Sequence, residues 1–258
     1  MALFTDGPVS AMEDLTARDS QLLNVANIES IDVTQKLALA QDEVALELTT
    51  LLSRLTYANQ LFWTAPQPGL GNVVVTPALK LWHTLRTLEL VYGDAYNSQL
   101  NDRYAGKRDQ FHQLALSAYD KLIDIGIGIA SIPVPRAATP IVTPTPQLGM
   151  ALPDGTYFVS MSWISAGGDE GAPSAAPATA ASSQGTLLVQ PVQAPPVATA
   201  WNVYIGVDPG SLSLQNQSPI PAGQTWLQPP QLNTTGRAPG PGQAPSFVKP
   251  VPRFIQRG

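Results

Sequence analysis

The residues that could carry catalysis or bind a metal are few in this chain of 258 residues. It has no cysteine and only two histidines, His83 and His112. Disulfides, thiolate zinc sites and cysteine nucleophiles are therefore excluded, and a histidine-built metal site has little to draw on. Both histidines fall in the middle of predicted helices, where a place on the helix surface or at a packing seam is favoured over ligation or general-base chemistry.

Two acidic pairs are the remaining candidates for chemistry. Asp120 and Asp124 are four residues apart on a predicted helix; they could bind a metal or form an acid–base pair, but a solvated helix face is favoured. Asp169 and Glu170 lie in a glycine-rich loop that could bind calcium, yet two acids without D-x-D spacing favour a polar loop tip. No phosphate-binding glycine loop, nucleophile elbow or HExxH pair is present. We predict no enzymatic activity, no metal and no cofactor.

Five tryptophans could serve as ligand platforms or as core residues. They are Trp63, Trp82, Trp163, Trp201 and Trp226. In the predicted strands, Trp163 and Trp201 share a face with other apolar residues, which favours burial in the core over ligand stacking.

The charge content limits the class of partner. Charged residues are 13% of the chain and the net charge is −5. This is about half the usual globular share of charge, so neither a basic nucleic-acid binder nor a charge-swollen disordered chain is expected. The first residues lack the pattern of a secretory signal, and no apolar run reaches the ~18 residues of a membrane helix. We expect no membrane association.

Proline and charge divide the chain into two halves. Residues 1–137 hold 6 of the 25 prolines and 25 of the 33 charged residues, whereas residues 138–258 hold 19 prolines and 8 charges. Helices tolerate little interior proline and carry charge on their wet face, so the first half is predicted helical and the second β-rich. The resulting domains are a helical domain (1–131), a Pro/Thr linker (132–148), a β-sandwich (149–240) and an extended C-terminal arm (241–258).

Local patterns support this division. Apolar spacing predicts helices over 10–25, 33–57, from 77 onward and over 102–125. Asp32 and Thr76 are predicted caps of two of them, and Gly126 and Gly128 are predicted to end the last in the left-handed conformation. Alternation predicts strands at these positions: 156–163, 186–189, 201–205 and 224–227. In the first of them one face is apolar and Ser160 and Ser162 lie on the other; the apolar face consists of Tyr157, Val159, Met161 and Trp163. Short strands separated by Gly and Pro turns indicate a small sandwich.

Two groups of motifs resemble structural proteins of tailed bacteriophages. The first comprises residues 103–118 (RYAGKRDQFHQLALSA), 125–129 (IGIGI) and 132–136 (IPVPR), and it resembles the closing helix and exit of head–tail connector, or neck adaptor, proteins. The second comprises 155–157 (GTY), 172–174 (APS), 201–206 (WNVYIG), 214–216 (LQN) and 223–226 (GQTW), and it resembles fibronectin type III-like domains of phage structural proteins. The resemblance covers about the last 155 residues.

The resemblance implies a non-enzymatic virion protein at the head–tail junction, made in the host cytoplasm. Such adaptors form a ring, usually of twelve copies, beneath the portal protein. The ring continues the channel through which genomic DNA passes and carries the tail or a tail-completion protein. The arm would bind the portal through seven residues: Phe247, Lys249, Val251, Arg253, Phe254, Ile255 and Arg257. The alternative is a tail or capsid surface module whose sandwich contacts a glycan or receptor.

Overall fold

The computed structural model describes residues 1–59, 68–98, 102–146, 152–181 and 185–249. The helices are α1 (Met12–Thr16), α2 (Leu22–Ile28), α3 (Val33–Asn59), α4 (Pro77–Ser98) and α5 (Ala105–Ile125), with 3-10 helices at Phe4–Asp6 and Leu70–Asn72. The strands are β1 (Ile127–Ile129), β2 (Ile141–Pro146), β3 (Gly155–Ser165), β4 (Ala178–Ala181), β5 (Gly185–Gln190), β6 (Ala198–Gly206), β7 (Ser213–Leu214), β8 (Ile220–Pro221), β9 (Trp226–Leu227) and β10 (Ser246–Val248). Helices followed by antiparallel sheets confirm the α+β class.

The chain divides into two compact units whose boundaries differ from the predicted domains. The helical unit consists of Gly7–Ser131 and the segment that begins at Pro245, whereas the β unit consists of Met1–Asp6 and Ile132–Ala244. The first six residues therefore belong with the strands. Part of the predicted arm belongs with the helices.

The long helices α3 and α4 begin where the sequence predicts, and α5 begins three residues after the predicted start at 102. The Asp32 carboxylate accepts hydrogen bonds from the amides of Thr34 (2.9 Å) and Gln35 (3.1 Å), which caps α3. The Thr76 hydroxyl accepts the Leu79 amide at the start of α4 (3.3 Å). Helix α4 packs against both α3 and α5. The core they enclose includes Val44, Leu48, Leu51, Leu79, Leu85, Leu88, Tyr92, Phe111, Ala115 and Leu122.

The predicted helix over 10–25 is two short helices. Asp19 lies between α1 and α2 and is buried, and its carboxylate accepts the Gln21 amide at 3.0 Å. A side chain that bonds the backbone two residues ahead competes with helical bonding, so the helix breaks at this point.

Gly126 ends α5 as predicted, whereas Gly128 does not act as a left-handed cap. Gly126 has φ +105°, a conformation that residues with a Cβ rarely adopt. Gly128 lies in β1, which pairs antiparallel with β10. An isolated bridge joins Val73 to Ile129 on the same strand. The predicted free arm over 241–258 is thus docked through residue 248, because its backbone finds partners in β1.

The β unit contains two antiparallel sheets. One has the strand order β2-β5-β9, and the other has the order β4-β3-β6-β7, with β8 also paired to β6. A single cluster of buried residues draws on both sheets. It includes Tyr157, Val159, Met161 and Trp163 of β3, Leu187 and Val189 of β5, and Trp201, Val203 and Ile205 of β6. The four β3 residues are those whose shared face the alternation predicts.

The predicted linker is part of the β unit. Residues 141–146 form β2, which pairs along its whole length with β5. Pro144 and Pro146 are compatible with this strand because β2 is at the edge of its sheet, where missing amide donors face outward. Earlier in the segment, Val134 and Ala137 are buried in the core cluster. The side chain of Gln243 bonds the Val134 amide at 2.7 Å and the Ile132 carbonyl at 2.8 Å.

Candidate functional site

A polar cluster of the β unit surrounds Glu170. Its carboxylate accepts hydrogen bonds from the hydroxyls of Ser162 and Tyr204, from the Asn202 amide at 3.2 Å and from the Arg237 guanidinium at 2.6 Å. Ser162, Asn202 and Tyr204 are all buried. An isolated bridge between Glu170 and the end of β3 turns the loop inward, so this acid leaves the predicted loop tip.

The ionisation of this cluster indicates a structural role. Burial alone would raise the pKa of Glu170, but the hydrogen bonds from Ser162, Tyr204 and Arg237 lower it below its ordinary value. Burial and the bond to Glu170 raise the pKa of Tyr204 to about 12. A carboxylate with a low pKa is a poor general acid, and all four side-chain partners donate to it, which leaves little room for a cation. The described residues contain no group of three or more His, Asp or Glu arranged to hold a metal ion.

His83 is buried at the packing seam between α3, α4 and the segment before α1. Its Nδ1 is 2.9 Å from the Ser10 hydroxyl, and its Nε2 is 3.3 Å from the carbonyl oxygen of Leu37. Because Nε2 faces a carbonyl, it carries the ring proton, and Nδ1 accepts the proton of Ser10. Burial lowers the pKa of His83 below its ordinary value. The packing seam is one of the two positions that the sequence favours.

The Ser10–His83 pair has two parts of a nucleophilic site but not the third. The second ring nitrogen bonds a backbone carbonyl where a catalytic arrangement would have an orienting carboxylate. Because Ser10 donates its proton to His83, the Thr84 hydroxyl shares its own proton between the Ser10 oxygen and the Lys80 carbonyl oxygen, each 2.8 Å away. These bonds form a closed network that holds the residues before α1 onto α4. A cavity of about 540 Å³ adjoins it, lined by Gly7, Pro8, Ser10, Ala11, Thr34, Leu37, Ala38, Gln41, Asp42 and His83.

A second buried carboxylate, Asp19, joins three helices of the helical unit. It accepts the hydroxyl of Tyr92 at 2.5 Å and the Lys107 ammonium at 3.1 Å. Burial alone would raise the pKa of Asp19, but the bonds from Tyr92, Gln21 and Lys107 lower it. Burial and the bond to Asp19 raise the pKa of Tyr92. Nothing in the local sequence marks this cluster, since its members are up to 88 residues apart.

The other candidate residues occupy ordinary positions. Asp120 and Asp124 are both exposed on α5, as expected for a solvated helix face. Trp82, Trp163 and Trp201 are buried, which confirms the core interpretation for these three. Trp226 is partly exposed, and Trp63 lies outside the described residues.

An open cavity of about 610 Å³ in the β unit is the candidate for a small ligand. It is lined by Pro153, Asp154, Gly155, Thr156, Tyr157, Val207, Pro230, Gln231, Leu232 and Thr234. Its one aromatic residue, Tyr157, is buried, and its hydroxyl donates to the Pro153 carbonyl at 2.8 Å. The ring is therefore packed into the core and is not a stacking platform for a sugar.

Exposed apolar side chains are concentrated on the helices. Of the eleven large apolar residues that are exposed in the described parts of the chain, seven lie on α2, α3 and α5. They are Leu23, Ile28, Leu39, Leu46, Leu114, Leu116 and Ile125. Such surfaces are typical of contacts with protein partners.

The predicted arm residues divide between described and undescribed parts of the chain. Phe247 lies in β10 with half its surface exposed, and Lys249 follows it and is exposed. The other five predicted contacts lie outside the described residues: Val251, Arg253, Phe254, Ile255 and Arg257.

Comparisons with known proteins add no family. No family model matches the chain, and no curated protein matches it. Within the described ranges, no helix is both long and apolar enough to cross a membrane. The fold and its surfaces define a two-unit α+β protein whose internal polar clusters are saturated by its own residues.

Proposed function

We propose that this protein is a non-enzymatic virion component, a head-to-tail adaptor that forms a ring under the phage portal and carries the tail. The observation that carries the proposal is the group of exposed apolar residues on α2, α3 and α5. A helical unit with this surface gains stability by covering it with other proteins. The connector resemblance of residues 103–118 supports further copies of the chain, the portal and a tail protein as those partners.

The same proposal extends to the fold of the β unit. We assign it to the fibronectin or immunoglobulin-like sandwiches, in which two antiparallel sheets enclose one core. Trp163 and Trp201 of one sheet and Leu187 and Val189 of the other belong to one buried cluster, which supports this assignment. In an adaptor, this unit would be a peripheral module on the outside of the particle.

The portal contact is assigned to the chain end. Because residues 246–248 pair with β1 and Gln243 holds the segment around Val134, the part of the predicted arm left for the portal starts at residue 250. A chain truncated after Lys249 keeps β10 and Gln243. We expect it to lose portal binding with unchanged circular dichroism. Full affinity for the portal in the truncated chain would contradict the arm assignment.

Immunogold electron microscopy of purified particles tests the adaptor proposal directly. An antibody against the β unit should label the junction of head and tail on intact particles, or on disrupted particles if the epitope is covered. Label along the tail or over the capsid would contradict the proposal. It would favour the alternative, a surface module that contacts a glycan or receptor, for which the 610 Å³ cavity is the candidate site. No label on either preparation would exclude both.

A further inference from the structure

We propose that copies of this chain associate head to tail, with α3 of one copy packed against α5 of the next. The inference rests on the proposed function, because it names the contact from which a ring would be built. It is carried by two exposed stripes on the helical unit. The α3 stripe consists of Leu39, Asp42 and Leu46, and the α5 stripe consists of Leu114, Lys121 and Ile125.

The α3 stripe has the spacing of a helix-packing seam on the side turned away from the core. Leu39, Asp42 and Leu46 follow one another at intervals of three and four residues, as residues at a helix–helix contact do. Leu46 is 71% exposed and Leu39 is 41% exposed. Val44 and Leu48 on the opposite side are fully buried, so this helix has one apolar side for its own core and a second one that the described residues leave exposed.

The α5 stripe has the same character. Leu114 is 40% exposed and Ile125 is 50% exposed, with Lys121 between them. Intervals of seven and four residues place the three on one side of the helix. Asp120 and Asp124 are turned about 60–100° further round the helix from Lys121, toward solvent.

The two stripes face different directions. Tyr119 of α5 bonds Glu47 of α3 at 2.9 Å and packs its ring 5.1 Å from that of Trp82 on α4. Tyr119 therefore marks the side of α5 that faces α3. At 100° per residue, the stripe residues lie about 120–160° round the helix from Tyr119. A unit with complementary surfaces on different sides builds a chain or a ring, whereas one self-complementary surface builds a closed dimer.

The charges favour the head-to-tail arrangement over the symmetric ones. Asp42 lies between the two leucines of its stripe, and Lys121 lies between the two apolar residues of the other. Both are exposed, and neither has an ion pair within the described ranges. Contact between two α3 stripes would oppose two aspartates, and contact between two α5 stripes would oppose two lysines. Contact between α3 and α5 pairs opposite charges.

Blocked variants of the full chain test the contact. Leu46→Glu blocks the α3 stripe and Leu114→Glu blocks the α5 stripe. Leu116→Glu is the matched control, since this leucine is 47% exposed on α5 outside the stripe. By sedimentation velocity at up to about 100 µM, the unmodified chain and the control should form species larger than dimers. Each blocked variant should be monomeric, and an equimolar mixture of the two should form dimers and nothing larger, because one intact stripe of each kind remains.

Charge reversal tests the pairing of the stripes. Asp42→Lys and Lys121→Asp should each weaken association about tenfold or more, and the double reversal in one chain should restore it. Any of four results would overturn the contact. The unmodified chain could be monomeric, or the blocked variants could assemble like the control. A single blocked variant could form dimers by itself, or the double reversal could associate as weakly as either single reversal.

The outcome is separable from that of the adaptor proposal. Association through the stripes with antibody label along the tail would retain the contact and overturn the adaptor. Antibody label at the head–tail junction, together with blocked variants that still assemble, would retain the adaptor and overturn the contact.

Discussion

Replacement of Glu170 by glutamine tests whether this carboxylate is a structural tie of the β unit. The side chain of Glu170 is 19% exposed and accepts bonds from four side chains, of which Ser162, Asn202 and Tyr204 are buried. The three buried donors all bond Oε1, and Arg237 bonds Oε2. A glutamine can place its amide oxygen at Oε1, but that oxygen carries no charge, and its amide hydrogens then point at the Arg237 guanidinium, which also donates.

The expected loss follows from the removed charge. A hydrogen bond to a charged group contributes about 1.5–3 kcal/mol and one between neutral groups about 0.5–1.5 kcal/mol, so each of the three buried bonds should weaken by about 1 kcal/mol. The bond to Arg237 contributes little because that side chain is half exposed and can rehydrate. We expect Glu170→Gln to lower the free energy of unfolding of the β unit by about 2–4 kcal/mol. Urea unfolding at neutral pH, followed by tryptophan fluorescence, measures it, since Trp163 and Trp201 are both in the β core.

The same variant makes a prediction about pH. The pKa of Glu170 is lowered from its ordinary value of 4.5 in the folded protein, so its contribution is fully present above that pH and is lost as the pH falls through the folded value. Glu170→Gln should remove this part of the acid dependence. The neighbouring exposed Asp169→Asn is the control, with an expected change within about 0.5 kcal/mol. A Glu170→Gln protein as stable as the control at neutral pH would refute the structural role.

Three further substitutions test the helical unit. Gly126→Ala introduces a Cβ at φ +105° and 2.9 Å from the Val248 carbonyl oxygen, so we expect about 1–3 kcal/mol of destabilisation and faster amide hydrogen exchange in residues 246–248. Tyr92→Phe removes the hydrogen bond to buried Asp19, and urea unfolding should show a loss of about 1–3 kcal/mol. Burial lowers the pKa of His83 from 6.5 in the folded protein. As the pH falls, His83 is therefore protonated in the unfolded state before it is protonated in the folded state. Stability should therefore decline below about pH 6.5, and His83→Gln should flatten this decline in thermal unfolding measured from pH 7 to pH 5.

Matched controls sharpen two of these tests. Gly93→Ala lies within α4, with no atom within 4 Å of the added Cβ, and should leave stability unchanged or raise it by up to about 1 kcal/mol. A Gly126→Ala protein that behaves like Gly93→Ala would contradict the conformational argument. Tyr119→Phe removes a hydroxyl that bonds Glu47, a side chain that is only partly buried, and should lose less than Tyr92→Phe. Equal losses would show that burial of Asp19 contributes nothing.

The sequence predicts correctly those features that depend on residues close together in the chain, such as helix caps and strand alternation. The caps at Asp32 and Thr76, the end of α5 at Gly126 and the alternation in β3 all depend on residues within one element, and the structure has them where the sequence places them. The Pro/Thr segment was beyond this kind of inference. Residues 141–146 form a strand because β5 lies beside them, and an edge position makes their prolines acceptable.

The polar clusters were unpredictable for the same reason. Glu170 bonds residues between 8 and 67 positions away, and no spacing rule connects them. One weak signal was present, since Glu170 is one of only four acids in residues 138–258. An acid kept in such a sparsely charged half is expected to have a specific partner. The opposite face of β3 shows a related effect, because Ser160 and Ser162 were predicted to face away from the core but are buried under loop residues.

The contrast between the interior and the helix surfaces indicates where function lies. Within the described ranges no buried side-chain nitrogen or oxygen lacks a hydrogen-bond partner, so the buried acids and His83 already have their bonds within the chain. A catalytic group must exchange partners with a substrate, and a saturated, buried group does so poorly. The described part of the chain leaves the apolar residues of α3 and α5 exposed, and the chain has few charges with which to keep them soluble. Covering these residues with other proteins would be favourable, which supports the proposed assembly role.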